Sequence, residues 1–134
     1  MKCTTSILLL SAAALAGCAA QGGERSASNG RSKDVPAARV VGEPVSCLPL
    51  QSIRESRVRD DWTIDFRTSG GGWYRNTLPN RCSGLGFERA FSYATSQTQL
   101  CNVDIITVIS TAGGGPMNRG SCGLGTFTPV ELAK

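Results

Sequence analysis

Residues 62–78 read Trp62-Thr63-Ile64-Asp65-Phe66-Arg67-Thr68-Ser69-Gly70-Gly71-Gly72-Trp73-Tyr74-Arg75-Asn76-Thr77-Leu78, and this stretch decides the fold class. Trp62, Ile64 and Phe66 alternate with Thr63, Asp65 and Arg67, the period-two signature of a strand with one buried face. Ser69 to Gly72 supplies the permissive backbone of a hairpin loop, and Trp73 to Leu78 reads as the returning strand, closed by Pro79-Asn80. Upstream, Asp60-Asp61 predicts a turn out of an earlier strand near Arg54 to Arg59. Downstream, Phe91 and Tyr93 alternate within Ala90 to Thr95, and Ser96-Gln97-Thr98 turns the chain into Leu100-Cys101. Asp104 to Ser110 is the strongest β-branched run. With Ile106 and Val108 on one side and Ile105, Thr107 and Ile109 on the other, it is expected at the centre of a sheet, covered on both faces. Gly113-Gly114-Gly115-Pro116 ends it, and a last short strand is expected near Thr126 to Val130. No window of useful length has the i, i+3, i+4, i+7 spacing of an amphipathic helix; Glu88 to Ala94 is the one candidate for a helical turn. The expected fold is all-β, a small antiparallel barrel or sandwich of about six short strands.

The chain has 134 residues, 40% of them hydrophobic, which leaves room for one modest domain. It contains no histidine, which excludes Ser-His-Asp and Cys-His nucleophile activation, histidine metal sites and histidine pH switching. All aromatic residues lie between Trp62 and Phe127, so the folded unit is expected to start near Cys47 and run to Lys134. Ala19 to Ser46 has no aromatic residue and is crowded with Gly, Ser, Ala and charges, too little apolar area to offset ordering entropy. It reads as a flexible tether with an r.m.s. reach of roughly 30 Å.

The amino terminus reads as an address. Lys2 precedes an apolar core from Ile7 to Ala16, the length of a secretory h-region and too short for a permanent span. The core runs into Leu15-Ala16-Gly17-Cys18, which resembles the lipobox of bacterial lipoproteins. That resemblance implies a signal peptide over residues 1–17, a diacylglyceryl group on the Cys18 thiol, cleavage before Cys18 and acylation of the new amino group, giving a lipidated tether over 18–46. Each buried methylene contributes about 0.8 kcal/mol, so two or more acyl chains hold firmly where one is marginal. Ala19, where an aspartate is absent, resembles the pattern sent on to the outer membrane; the expected location is its periplasmic face. Arg25, Arg31, Lys33 and Arg39 are interrupted by Glu24, Asp34 and Glu43, which reads as a solvated linker.

With Cys3 lost in the leader and Cys18 acylated, Cys47, Cys82, Cys101 and Cys122 remain, an even number in a small exported domain, so two disulfides are expected. Of the three possible pairings, the nested one is expected: Cys82–Cys101 as a local clamp and Cys47–Cys122 as a clasp, worth ~3 and ~4 kcal/mol on the loop-entropy model. The sequential pairing, Cys47–Cys82 with Cys101–Cys122, stands beside it. The spacing contains no Cys-x-x-Cys knuckle, which argues against a four-thiolate zinc site.

Several segments resemble a family of small proteobacterial lipoproteins known only as a domain of unknown function (the DUF6491 type). They are Cys47-Leu48 with Ile53; Val58 through Phe66; Tyr74 through Cys82; Leu100-Cys101 with Asp104 through Val108; and Ser121 through Val130, which holds Cys122-Gly123-Leu124-Gly125-Thr126-Phe127. The resemblance covers essentially Cys47 to Val130. It implies a fold unit and an envelope address, and no reaction.

The sequence offers little chemistry. Gly70–Gly72 and Gly113–Gly115 are not followed by Gly-Lys-Ser/Thr and open no helix, so they read as loops rather than phosphate cradles. The segment from Cys82 to Phe87 faintly echoes that from Cys122 to Phe127, which glycine turns next to a disulfide explain. Asp60, Asp61, Asp65 and Asp104 are the acids best placed for work, yet Asp61 and Asp65 lie ~13 Å apart along a regular strand, too far for glycosidase chemistry. Asp60-Asp61 lacks the further oxygen ligands of a calcium loop. Trp73, Tyr74, Arg75 and Asn76 form a candidate binding surface, with Arg75 suited to a carboxylate or sugar through its guanidinium; pairing of Arg75 with Asp65 across the hairpin is the structural alternative. Loss of Lys2 leaves a net charge of +3, in which Lys33 and Lys134 are the only basic residues that are not arginine. Without a basic block, no nucleic-acid partner is expected. Neither is a cofactor or a metal. The expected role is a non-catalytic binding or structural module of the cell envelope, held in membrane lipid through acylated Cys18 and meeting an envelope protein or glycan. The alternatives are a lipoprotein inhibitor of an envelope-degrading enzyme such as lysozyme, and a small hydrolase using Asp with Ser or Tyr.

Overall fold

The computed structural model describes residues 35–134. The expected leader over 1–17, the expected anchor at Cys18 and the expected tether up to Asp34 lie outside the described residues. In chain order the strands are β1 (Ala38–Val40), β2 (Cys47–Pro49), β3 (Ile53–Val58), β4 (Thr63–Thr68), β5 (Trp73–Thr77), β6 (Phe91–Tyr93), β7 (Gln99–Cys101), β8 (Ile105–Ser110), β9 (Met117–Gly123) and β10 (Phe127–Leu132). A 3-10 turn spans Leu50–Ser52, and one helical turn, α1, spans Leu85–Glu88.

The fold is all-β and antiparallel, as expected, but no barrel closes: the strands form a five-stranded sheet in the order β1-β10-β5-β4-β3, a three-stranded sheet in the order β6-β8-β9, and a β2-β7 ribbon. One core joins them, with Leu48, Val58, Ile64, Phe66, Leu78, Leu85, Leu100, Ile106, Val108 and Phe127 all buried. Phe66 sits at its middle, edge-on to Phe127 at 5.5 Å and to Phe91 at 6.3 Å.

The β4–β5 hairpin follows its sequence closely. Asp65 pairs with Arg75 and Phe66 with Tyr74. Thr68 N–H donates to the Gly72 carbonyl at 3.0 Å and Gly71 N–H to the Thr68 carbonyl at 2.9 Å. Gly71 stands at φ 83°, a left-handed conformation that costs a residue with a Cβ and costs glycine little.

The helical turn falls at Leu85–Glu88 rather than over Glu88 to Ala94, where the Phe91/Tyr93 alternation prevails as β6. β8 is central in its sheet, between β6 and β9. Only one of its faces is covered, however: Ile106, Val108 and Ser110 are buried whereas Ile105 is 52% exposed. β9 forms where no strand was expected, because its residues stay mostly exposed at the sheet edge and carry no alternating apolar pattern.

Two disulfides are present, but neither expected pairing is correct. Cys47 joins Cys101 and Cys82 joins Cys122, so the two loops interlace. The reason lies in strand pairing: Cys47 and Cys101 face each other in the β2–β7 ladder, an adjacency that local sequence does not announce. Cys82–Cys122 ties the two Gly-Leu-Gly segments together, each burying its leucine, Leu85 and Leu124. Both glycines following those leucines are close approaches. A Cβ at Gly86 would lie 3.0 Å from Asp60 Cα, and one at Gly125 would lie 2.2 Å from the Thr77 carbonyl oxygen.

The tether expectation is also revised at its inner end. β1 pairs along the edge of β10, Val41 N–H donates to the Pro129 carbonyl at 2.9 Å, and Val45 exchanges backbone hydrogen bonds with Phe127. Ordered backbone therefore begins before Cys47, through pairing that needs no large side chain.

Candidate functional site

Paired residues on neighbouring antiparallel strands share a face, so the register sorts the five-stranded sheet. Val58, Ile64, Asn76 and Phe127 form one inward row. Arg57, Asp65 and Arg75 form an outward row, and Glu55, Arg67 and Trp73 the next. Trp73, Tyr74, Arg75 and Asn76 are consecutive on β5, so their side chains alternate between faces, although Trp73 and Tyr74 both border one open groove. Trp73 and Arg75 point outward; Tyr74 packs against the core. Asn76 is fully buried: its Nδ2 donates to the Gly125 carbonyl at 2.6 Å and its Oδ1 accepts the Gly125 N–H at 2.8 Å. It closes a backbone pair, as an isolated buried amide must.

Arg75 takes the structural alternative. Its Nε donates to Asp65 Oδ1 at 2.8 Å and its Nη2 to Asp65 Oδ2 at 3.0 Å, a two-point contact, while Nη1 donates to the Pro36 carbonyl at 3.0 Å. Arg59 Nε adds a bond to Asp65 Oδ2 at 2.8 Å. Asp65 is fully buried beneath the two guanidiniums, whose side chains are 15% and 17% exposed. Such a carboxylate is held rather than offered, since removing one partner of a buried pair strands the other.

The remaining acids also serve the backbone or a guanidinium. Asp60 Oδ1 accepts the Trp62 N–H at 2.8 Å, closing the turn between β3 and β4. Asp61 accepts the Gly86 N–H at 2.8 Å and Arg81 Nε at 2.9 Å. Asp104 Oδ2 accepts the Cys101 N–H at 2.6 Å. The four folded-domain cysteines are joined in disulfides, so a four-thiolate zinc site is not available.

What the outward face does offer is an open groove of about 850 Å³. Arg57 on β3, Arg59 just after it and Trp73 on β5 line it, Gly70–Gly72 bounds one part, and Val130, Glu131 and Lys134 lie along another. Arg57 forms an exposed ion pair with Glu55, and its guanidinium carbon stands 5.0 Å over the Trp73 ring. The sequence reading missed Arg57 and Arg59. Their signal was present in Arg57-Val58-Arg59, where period two around an apolar Val58 sends both arginines to the face opposite the core.

No family model, curated protein or solved structure matches this chain.

Proposed function

We propose that this chain is a lipoprotein of the bacterial envelope, of the kind its segments resemble, anchored through acylated Cys18 at the periplasmic face of the outer membrane. Its folded domain acts as a non-catalytic binding or structural module that meets another envelope component, protein or glycan. The observation that carries the binding role is the outward groove of the five-stranded sheet, where Arg57, Arg59 and Trp73 converge. Arginine and tryptophan are the side chains that most often dominate contact energy, through area and fork-like hydrogen bonding. The engagement of Asp60, Asp61, Asp65 and Asp104 in turns and ion pairs supports a binding role over hydrolysis.

The test is crosslinking in intact cells. A photoreactive residue at Trp73 of the full chain is expected to yield one enriched adduct, and the same residue at Val103, 81% exposed on another turn, is expected not to. Equal labelling at both positions would remove the groove as the contact. Mass spectrometry of the purified chain tests the anchor: an unmodified Cys18, or a mature terminus elsewhere, removes the lipoprotein part.

A further inference from the structure

Resting on that reading of the groove, we propose that its ligand is a carboxylate-bearing glycan, with Arg57 and Arg59 taking the carboxylate and Trp73 the sugar ring. Arg57 lies on β3 and Arg59 directly after its end, at i and i+2, where Arg59 N–H still pairs with the Thr63 carbonyl at 2.9 Å, so their side chains leave the same face ~7 Å apart, a spacing that brackets one acidic group. Their partners differ in a useful way. Arg59 uses Nε for buried Asp65. Arg57 holds only Glu55 among carboxylates, in a pair whose side chains are 49% and 35% exposed. Exposed pairs of this kind contribute little and exchange readily for another carboxylate. A planar guanidinium matches a carboxylate in a two-point contact, which an ammonium cannot do, and both residues here are arginine.

Charge decides between a glycan and a lipid surface. The groove and the face around it set Arg57, Arg59, Arg67, Arg75 and Lys134 against Glu55, Asp65 and Glu131, and Arg59 and Arg75 are already engaged by Asp65. Electrostatic docking to a bilayer uses clusters of about 4–8 basic residues, uncompensated and at the surface. The face falls short of that, and its shape is a recess rather than a flat or convex patch. An open recess with an aromatic ring beside a guanidinium fits a polar chain with an acidic group turned inward. Arg57 then moves from the Trp73 ring to the ligand, and the ring takes the C–H face of a sugar.

The experiment uses the full chain in detergent and measures co-sedimentation with purified murein sacculi, whose peptide stems carry carboxylates. Chitin is the neutral glycan control, and phosphatidylglycerol vesicles are the lipid arm. The expected result is sedimentation with sacculi and not with chitin, weakened about tenfold in both Arg57→Gln and Arg57→Lys, because the two-point guanidinium–carboxylate contact is lost in either. Arg57 is exposed and Arg57→Gln leaves the core untouched; Arg119→Gln, on β9, is expected to bind as the parent does. Equal binding to chitin, an unaltered Arg57→Gln, or vesicle binding in place of sacculus binding each overturns the proposal. A Trp73 crosslink to one protein without sacculus binding overturns it while leaving the broader binding role standing; a Cys18 without acyl chains removes the anchor and leaves this result untouched.

Discussion

A Cβ added at Gly125 would meet the Thr77 carbonyl oxygen at 2.2 Å and its carbon at 3.2 Å, with Asn76 Oδ1 beyond them at 3.5 Å. The first neighbour is backbone of a paired strand, so nothing rotates away. Gly125→Ala is expected to cost about 3 kcal/mol or more, the upper part of the range for overpacking, read as a shift in the urea midpoint at unaltered slope. Asn76 is coupled to the same point. Asn76→Asp keeps the shape but replaces the donor to the Gly125 carbonyl with an acceptor, and is expected to cost about 2–3 kcal/mol by the same measurement. Asp65 makes a third case on the other face. Asp65→Asn leaves Arg59 and Arg75 facing a neutral amide, and with both guanidiniums less than a fifth exposed the expected loss is about 3 kcal/mol. A loss below about 1 kcal/mol would mean that the pair is wet and worth no more than a surface bridge.

The interlaced disulfides follow from elements rather than from residues, and they give a mapping experiment with three distinguishable answers. Trypsin without reduction releases residues 40–54 with Cys47, 82–89 with Cys82, 90–119 with Cys101 and 120–134 with Cys122. The expected products are 40–54 joined to 90–119, and 82–89 joined to 120–134. Linkage of 82–89 to 90–119 would restore the nested pairing, and linkage of 40–54 to 82–89 the sequential one. This is also where legibility stops. Strands β4, β5 and β8 show in the sequence because large apolar side chains alternate through them, and the Gly70–Gly72 turn because glycine is required there. β9 does not, since Met117–Gly123 buries little and is held by backbone pairing to β8. The candidate site was half legible for the same reason. Trp73 and Arg75 were found, but period two places Tyr74 and Asn76 on the opposite face, and Arg59 gains its meaning only once Asp65 lies beneath it. Cysteine pairing needs the register of β2 against β7, and register between distant segments is a property of the assembled core.

At the scale of the molecule, the question is where the folded unit begins. Composition places the boundary at Cys47, yet β1 covers the edge of β10, Val45 bridges to Phe127, and Pro36 accepts a hydrogen bond from Arg75, which also holds Asp65. The segment thus connects the outward ion network to a strand edge that would otherwise lie open. Val40 is 61% exposed and Val41 47%, so little of this attachment comes from apolar burial; it rests on backbone hydrogen bonds worth about 1 kcal/mol each. A chain starting at Cys47 should therefore still fold, held by both disulfides, but lose roughly 5 kcal/mol relative to one starting at Val35, from the backbone bonds of Ala37, Val41, Val45 and Ser46. It should also self-associate, because the freed β10 edge presents unpaired N–H and C=O groups to a second copy. Urea unfolding and sedimentation velocity of the two chains check both statements. Equal stability and equal sedimentation would return residues 35–46 to the tether. A weaker, associating chain would mean that the folded unit begins with β1, so that the proposed anchor at Cys18 would be joined directly to the sheet, through the strand beside the groove.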